Sequence, residues 1–168
     1  MKISMHQASV PVFVRALNNL ATILEKAAVH AEAKKIDPAA LINFRLYPDM
    51  LPLSKQVQIA SDSAKGGVAR LAGGEPPKYD DNEASFPELV ARLRKTIAYL
   101  ESIKPEQIDG SEDKTVTWKT QTATRTMQGM PYLLNHVTPN VYFHVTTAYA
   151  ILRHCGIEVG KQDFLGRT

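Results

Sequence analysis

The chain has 168 residues, of which 44% are hydrophobic and 22% are charged, and its formal net charge is +3. This size and composition are typical of one globular domain that buries a substantial core, so we expect a single domain over residues 1–168. Lysine and arginine are scattered along the chain, which disfavours nucleic-acid binding. No apolar run approaches the ~18 residues of a membrane span, so we expect neither a nucleic acid nor a membrane as partner.

The amino terminus and the cysteine content bear on location. The residues that follow Met1 contain no long apolar core, so they do not have the pattern of a secretory signal. Cys155 is the only cysteine, which excludes an internal disulfide and suits a reducing compartment. It falls on an apolar helix stripe, which predicts an inert buried thiol. We therefore expect a cytoplasmic protein.

The first predicted helix covers roughly residues 5–33, where apolar side chains recur at intervals of three and four. Pro11 leaves two interpretations open: the helix begins after Ser9 as N-cap, or an initial turn is kinked at the proline. The segment 36–38 ends the helix. Residues 41–48 are predicted to form a connection that is packed down by its apolar side chains.

The second and third predicted helices cover residues 52–72 and 86–104, with the same apolar period. The pair Gly66-Gly67 costs helix propensity, roughly 1 kcal/mol for each glycine, which indicates close approach to a neighbouring helix. Ser85 and Glu88 have the spacing of a capping box. The pair Asp80-Asp81 is predicted to lie in a solvated loop.

A Thr-rich, partly alternating segment follows at residues 114–127 and predicts either two short strands or an extended crossover. The fourth predicted helix covers residues 139–155, with Thr138 as N-cap and Pro139 in the first helical position. Phe164, in the short tail, is predicted to dock on the bundle. These elements predict an all-α protein, an antiparallel four-helix bundle with a long connection between helices three and four. The predicted core includes Leu17, Leu24, Val57, Leu93, Ile97, Val141 and Leu152.

His144 is the main functional candidate because it falls at the edge of the apolar stripe of the fourth helix. Asn140 lies one turn earlier on the same side. His144 suits a metal ligand, a general base or a hydrogen-bond partner of a substrate, but equally a core histidine that is satisfied locally. Gln56 flanks the apolar stripe of the second helix. His136 lies in the segment that leads into the fourth helix, and it is a further candidate to face the same cavity.

The sequence resembles a bacterial branch, of unassigned function, of the DinB/YfiT-like four-helix bundles. The resemblance extends over essentially the whole chain. It is carried by residues 140–153, 160–166, 49–53, 56–57 and 62–65.

The resemblance implies a metal site. The superfamily is described as metal-dependent enzymes, some of them thiol-dependent transferases, marked by one histidine on helix two and two histidines four residues apart on helix four. His144 matches the second of that pair, Asn140 stands at the position of the first, and Gln56 matches the histidine of helix two. Amide oxygens bind Zn²⁺ or Ni²⁺ far more weakly than imidazole does. We therefore expect no tightly bound metal; a weak Zn²⁺ or Ni²⁺ site would need a further ligand such as His136 or water.

Two functions are compatible with this sequence. The first is a non-catalytic or degenerate homodimer that binds an unidentified small molecule in a cavity lined by Gln56, Asn140 and His144. The second is a metal-dependent enzyme, for example a thiol-dependent transferase or a hydrolase, that uses His144. The homodimer is implied by the resemblance.

Overall fold

Four long helices and a β-hairpin make up most of the structure, a computed structural model that describes residues 3–120 and 122–166. The elements are, in chain order, α1 (Val10–Lys34), α2 (Pro38–Ile42), α3 (Leu53–Leu71), α4 (Phe86–Glu101), α5 (Pro105–Ile108), β1 (Thr115–Lys119), β2 (Thr124–Gln128), α6 (Gly129–Tyr132), a π-helical turn (Leu133–Val137), α7 (Thr138–His154) and α8 (Lys161–Leu165).

The long helices form the predicted antiparallel bundle. Helix α1 packs against α4, α3 packs against α7, and contacts of α3 with α4 and of α1 with α7 close the ring. All seven residues predicted as core are buried. None of the helices among the described residues is long and apolar enough to cross a lipid bilayer.

Helix α1 begins at Val10, so the interpretation that places Ser9 at the N-cap position is the correct one. Pro11 then lies in the first turn, where its missing N–H costs no helical hydrogen bond. Ser9 does not cap through its side chain; its Oγ donates to the Met5 carbonyl at 2.6 Å. The cap position is therefore right, and the capping hydrogen bond is absent.

The connection between α1 and α3 contains a short helix that the sequence analysis did not predict. Asp37 caps α2 by accepting a hydrogen bond from the Ala39 N–H at 2.9 Å, and Pro38 occupies the first helical position. An aspartate followed by a proline is a helix-start signal as well as a helix-stop signal, and here it is used as a start.

The start of α4 and the segment after it largely follow the sequence prediction. The capping box is present: Ser85 Oγ accepts from the Glu88 N–H, and the Glu88 carboxylate accepts from the Ser85 N–H at 2.9 Å. The helix ends at Glu101, three residues earlier than predicted. Of the two alternatives for the Thr-rich segment, the strands form, as an antiparallel pair that runs from Thr115 opposite Gln128 to Lys119 opposite Thr124.

The start of the fourth helix was predicted wrongly. The helix begins at Gly129, ten residues before the predicted first helical position, and continues from α6 through the π-helical turn into α7; we call this continuous element the long helix. Thr138 is therefore inside the helix, and its hydroxyl is buried without a hydrogen-bond partner. A proline inside an α-helix removes one hydrogen bond and collides with the carbonyl four residues earlier. The wider π turn immediately before Pro139 accommodates both effects, so the proline that suggested a helix start marks a π turn instead.

Candidate functional site

The interface between α3 and the long helix contains all of the sequence-predicted site residues. The two helices approach each other closely at Gly67, where an added Cβ would overlap the side chain of Val137 in the π turn. The close approach predicted from Gly66-Gly67 is therefore present. It brings the two helix backbones together between two separate polar groups, which are described below.

The first group is a hydrogen-bonded pair formed by Gln56 and His144. Nδ1 of His144 lies 2.7 Å from Oε1 of Gln56, and Nε2 of Gln56 donates to the Leu51 carbonyl at 3.0 Å. The bond to Leu51 fixes which end of the amide faces the histidine, so His144 donates from Nδ1–H. This assignment leaves Nε2 of His144 with its lone pair.

Burial determines the charge of His144. The side chain is 8% exposed, and this burial lowers its pKa from the ordinary value of 6.5. The imidazole is therefore neutral at pH 7, able to accept a proton or a hydrogen bond at Nε2 but not to act as a cation.

Asn140 belongs to the second group. Its Nδ2 donates to the His136 carbonyl at 2.6 Å, which places the amide over the π turn. It lines a cavity of about 180 Å³ whose other lining residues are Asp62, Ser63, Arg70, Tyr132, His136 and Val137. We call this cavity the π-turn cleft. Gln56 and His144 do not line it, so the structure separates Asn140 from the other two predicted residues.

His136 forms one wall of the π-turn cleft. Its ring packs against Trp118 and Tyr132, with centroid separations of 4.6 and 5.6 Å. Its pKa is lowered by burial and, to a smaller extent, by the positive charges of Arg125 and Arg70. On its other side, His136 lines a second cavity of about 560 Å³ together with Trp118, Arg125, Thr126, Met127 and Asn135.

The sequence analysis did not single out Arg70, Tyr132 or Arg125. Arg70 is seven residues, or about two turns, from Ser63 on α3, and Tyr132 lies before the predicted start of the fourth helix. The missed helix start explains the omission of Tyr132. Nothing in the local pattern distinguishes Arg70 or Arg125 from the other arginines.

A buried charged group that the sequence did not indicate is Arg92 on α4. Its side chain, 2% exposed, forms ion pairs with Asp62, Asp81 and Glu83 at 2.7–3.0 Å. It also donates to the Asp80 carbonyl at 3.0 Å. Asp80 and Asp81 lie in an exposed loop, as predicted, and Arg92 anchors that loop to the bundle.

The donor chemistry does not fit a tight transition-metal site. Oε1 of Gln56 is engaged by His144, and Asn140 lies in the separate π-turn cleft. Within residues 3–120 and 122–166, no three His, Cys, Asp or Glu side chains are grouped so that they could hold a metal ion.

Cys155 is half-buried rather than fully buried, and burial raises the pKa of its thiol, which keeps it protonated near pH 7.

Comparisons with known proteins agree with the fold. The bundle is DinB-like: a crystal structure described as a DinB family member protein from Shewanella denitrificans superposes with a TM-score of 0.88. The two sequences are 41% identical, and the match covers 97% of this chain and 92% of that one. The chain belongs to the DUF1993 family, a domain of unknown function, whose pattern matches residues 5–165. No curated protein matches the sequence.

Proposed function

We propose that this protein is a non-catalytic homodimer that binds a small molecule on a DinB-like bundle whose ancestral metal site has been altered. The observation that carries the proposal is the hydrogen bond between Gln56 and His144. At the positions where the superfamily places two of its ligands, this chain has an amide whose oxygen accepts a hydrogen bond from the imidazole. An amide–imidazole pair of this kind is a stable neutral arrangement, and it needs no metal to satisfy it.

The π-turn cleft supports small-molecule binding. It is lined mainly by polar side chains, and its volume of about 180 Å³ suits a compact ligand or one end of a larger one. π turns inside helices are frequent at functional sites, because they break the regular hydrogen-bond pattern and re-aim side chains. The proposed ligand therefore contacts Asn140 and His136, while Gln56 and His144 hold the adjoining helices in register.

Metal analysis of protein purified without an affinity tag tests the proposal. We expect much less than one equivalent of zinc or nickel per chain, and only weak binding when either ion is titrated by calorimetry. Any such weak binding should strengthen as the pH rises through the pKa of His144, which burial holds below its ordinary value of 6.5, because only neutral imidazole ligates. One equivalent of metal that is lost in His144→Ala but kept in His30→Ala would contradict the proposal.

One observation favours a second candidate, a metal-dependent enzyme that uses His144. The Gln56 amide holds Nδ1 of a neutral imidazole and leaves Nε2 free to ligate, which is how outer partners orient metal-binding histidines. The same metal analysis separates the two candidates, because the enzyme requires a stoichiometric ion and the binding protein does not.

The homodimer is part of the proposal. The long helix exposes four large apolar side chains: Met130, Leu134, Tyr142 and Phe143. Phe143 is 58% exposed, and a second copy packed against this helix would bury such side chains. Light scattering at tens of micromolar should give a dimer mass, and Leu134→Lys should weaken the dimer more than Val29→Lys on α1. A monomeric wild-type mass would contradict this part of the proposal.

A further inference from the structure

The π-turn cleft contains a positive charge without an anionic partner. Arg70 donates from Nη1 to the Tyr132 hydroxyl at 3.2 Å, and within the described part of the chain it forms no ion pair with a carboxylate. Arg92 on α4, by contrast, has three carboxylate partners. Arg70 is half-buried, so it lacks both an internal counter-charge and full hydration.

The one carboxylate in the cleft does not neutralise Arg70. Asp62 lines the cavity, but its Oδ1 accepts from Arg92 at 2.7 Å and from Lys65. The negative charge of Asp62 is thus shared between two other cations.

Further features are those of a site for an oxygen anion. The hydroxyl of Ser63, the hydroxyl of Tyr132 and the amide of Asn140 line the same cavity and can donate hydrogen bonds to it. Gly66 makes room for the guanidinium: an added Cβ there would lie 2.8 Å from Nη1 of Arg70. A guanidinium flanked by hydroxyl and amide donors suits a carboxylate or a phosphate.

The neighbouring cavity offers apolar surface to the rest of such a ligand. It shares His136 with the π-turn cleft, and the indole of Trp118 and the thioether of Met127 line it together with Arg125, Thr126 and Asn135. Trp118 packs against His136, so the aromatic surface begins where the polar cleft ends.

We propose that the π-turn cleft binds a small organic oxyanion, with the anionic group on Arg70 and Tyr132 and any apolar part directed past His136 toward Trp118. The inference rests on the proposed function, because it names the ligand class of the same small-molecule site. Carboxylates and phosphates share the chemistry that Arg70 recognises, and the test below distinguishes them.

Trp118 provides the test, because it is the only tryptophan of the chain and lies beside the cleft. Its fluorescence is recorded while full-length protein is titrated with benzoate, inorganic phosphate and benzamide, the neutral counterpart of benzoate. We expect a saturable change with benzoate or with phosphate, and at least tenfold weaker binding of benzamide. Arg70→Gln should weaken the binding of the anion at least tenfold, whereas Arg153→Gln, at the exposed end of the long helix, should leave it unchanged.

The pKa of His136 gives a second readout that does not depend on fluorescence. The charged and titratable groups around its ring are Arg125, Arg70, Tyr132 and Asp62. An anion bound beside His136 stabilises the imidazolium, so the pKa measured by NMR should rise when the anion is added. Arg70→Gln should raise the pKa of His136 in the ligand-free protein, because one repelling cation is gone. The same variant should reduce the rise in the pKa of His136 that the anion causes.

A second variant changes the position of Arg70 and keeps its charge. Gly66→Ala displaces Nη1 of Arg70, so it should also weaken anion binding. Thermal melting of Arg70→Gln and Gly66→Ala, compared with wild type before any titration, serves as the folding control.

The outcomes separate the inference from the proposed function. Equal binding of benzoate and benzamide, unaffected by Arg70→Gln, would overturn the inference that the ligand is an oxyanion, but it would leave the proposed small-molecule site in place. No response of Trp118 or His136 to benzoate and phosphate would also overturn the inference. A stoichiometric metal on His144 would overturn the proposed function, while the effect of Arg70→Gln would still decide whether the cleft binds an anion.

Discussion

Nδ1 of His144 donates to Oε1 of Gln56 across the interface of α3 and α7, where His144 is 8% exposed and Gln56 is 2% exposed. Each side chain is therefore the main polar partner of the other inside the bundle. We expect this pair to stabilise the fold, and a mutational cycle measures by how much.

Gln56→Leu should reduce the free energy of unfolding by about 1–3 kcal/mol, because it leaves a buried N–H of His144 without a partner. The double variant Gln56→Leu with His144→Leu should lose less than the sum of the two single variants. Urea denaturation measures all three, with Gln162→Leu, on the exposed side of α8, as a control expected to stay within about 0.5 kcal/mol of wild type. Strict additivity would show that the hydrogen bond contributes nothing.

The pH dependence of stability should report the burial of His144. Its pKa in the folded protein lies below the ordinary value of 6.5, so the unfolded chain takes up the proton first as the pH falls. The stability that neutral His144 contributes is therefore complete above about pH 6.5 and is lost as the pH falls through the folded pKa. Unfolding curves between pH 8 and pH 5 should show a smaller loss for His144→Leu than for wild type, and equal losses would contradict this assignment.

Arg92 should matter far more for stability than Arg94 on the same helix. Arg92 is buried against three carboxylates, two of which are partly exposed. Arg92→Ala should therefore lower the free energy of unfolding by about 2–3 kcal/mol, which is less than the loss expected when a fully buried ion pair is broken. Arg94 pairs with Glu25 at 3.3 Å on the surface, and Arg94→Ala should cost less than about 1 kcal/mol. Chemical denaturation of the two variants in parallel tests the difference, and similar losses would show that the anchoring of the 80–83 loop contributes little.

The contact between Gly67 and Val137 should make an otherwise favourable substitution harmful. Alanine is a better helix former than glycine by about 1 kcal/mol, but a Cβ at Gly67 overlaps Val137. We expect Gly67→Ala to destabilise by about 1–3 kcal/mol from overpacking. Adding Val137→Ala to this variant should cost less than Val137→Ala costs in wild type; a stabilised Gly67→Ala protein would show that the helices are farther apart at this point.

Much of the fold was predictable because it depends on short-range patterns. The apolar period placed α3 within one residue at each end, and the capping box of Ser85 and Glu88 placed the start of α4 exactly where it occurs. Phe164, predicted to dock on the bundle, packs edge-on against Tyr149 of α7, with the two ring centroids 5.9 Å apart. These features require only knowledge of neighbours a few residues apart along the chain.

The fourth helix shows where such patterns stop being informative. Pro139 and Thr138 have the composition of a helix start, yet the helix continues through them by means of a π turn. Local preference was overridden because Val137 packs against Gly67 of α3, and Leu133 and Val137 are buried in the bundle. Burial of these side chains outweighs the preference of Pro139 for a helix start.

For the candidate site, the helical period was enough to predict which side chains face the interior: it directed His144 inward and placed Asn140 one turn away from it. Their partners depend on packing between helices, because the register between α3 and the long helix sets Gln56 opposite His144 and Arg70 beside Tyr132. That register depends on a close approach at Gly67 and on packing between residues some 70 positions apart, which no local pattern encodes. A single sequence therefore defines the faces of each helix, and the contact between helices defines the site.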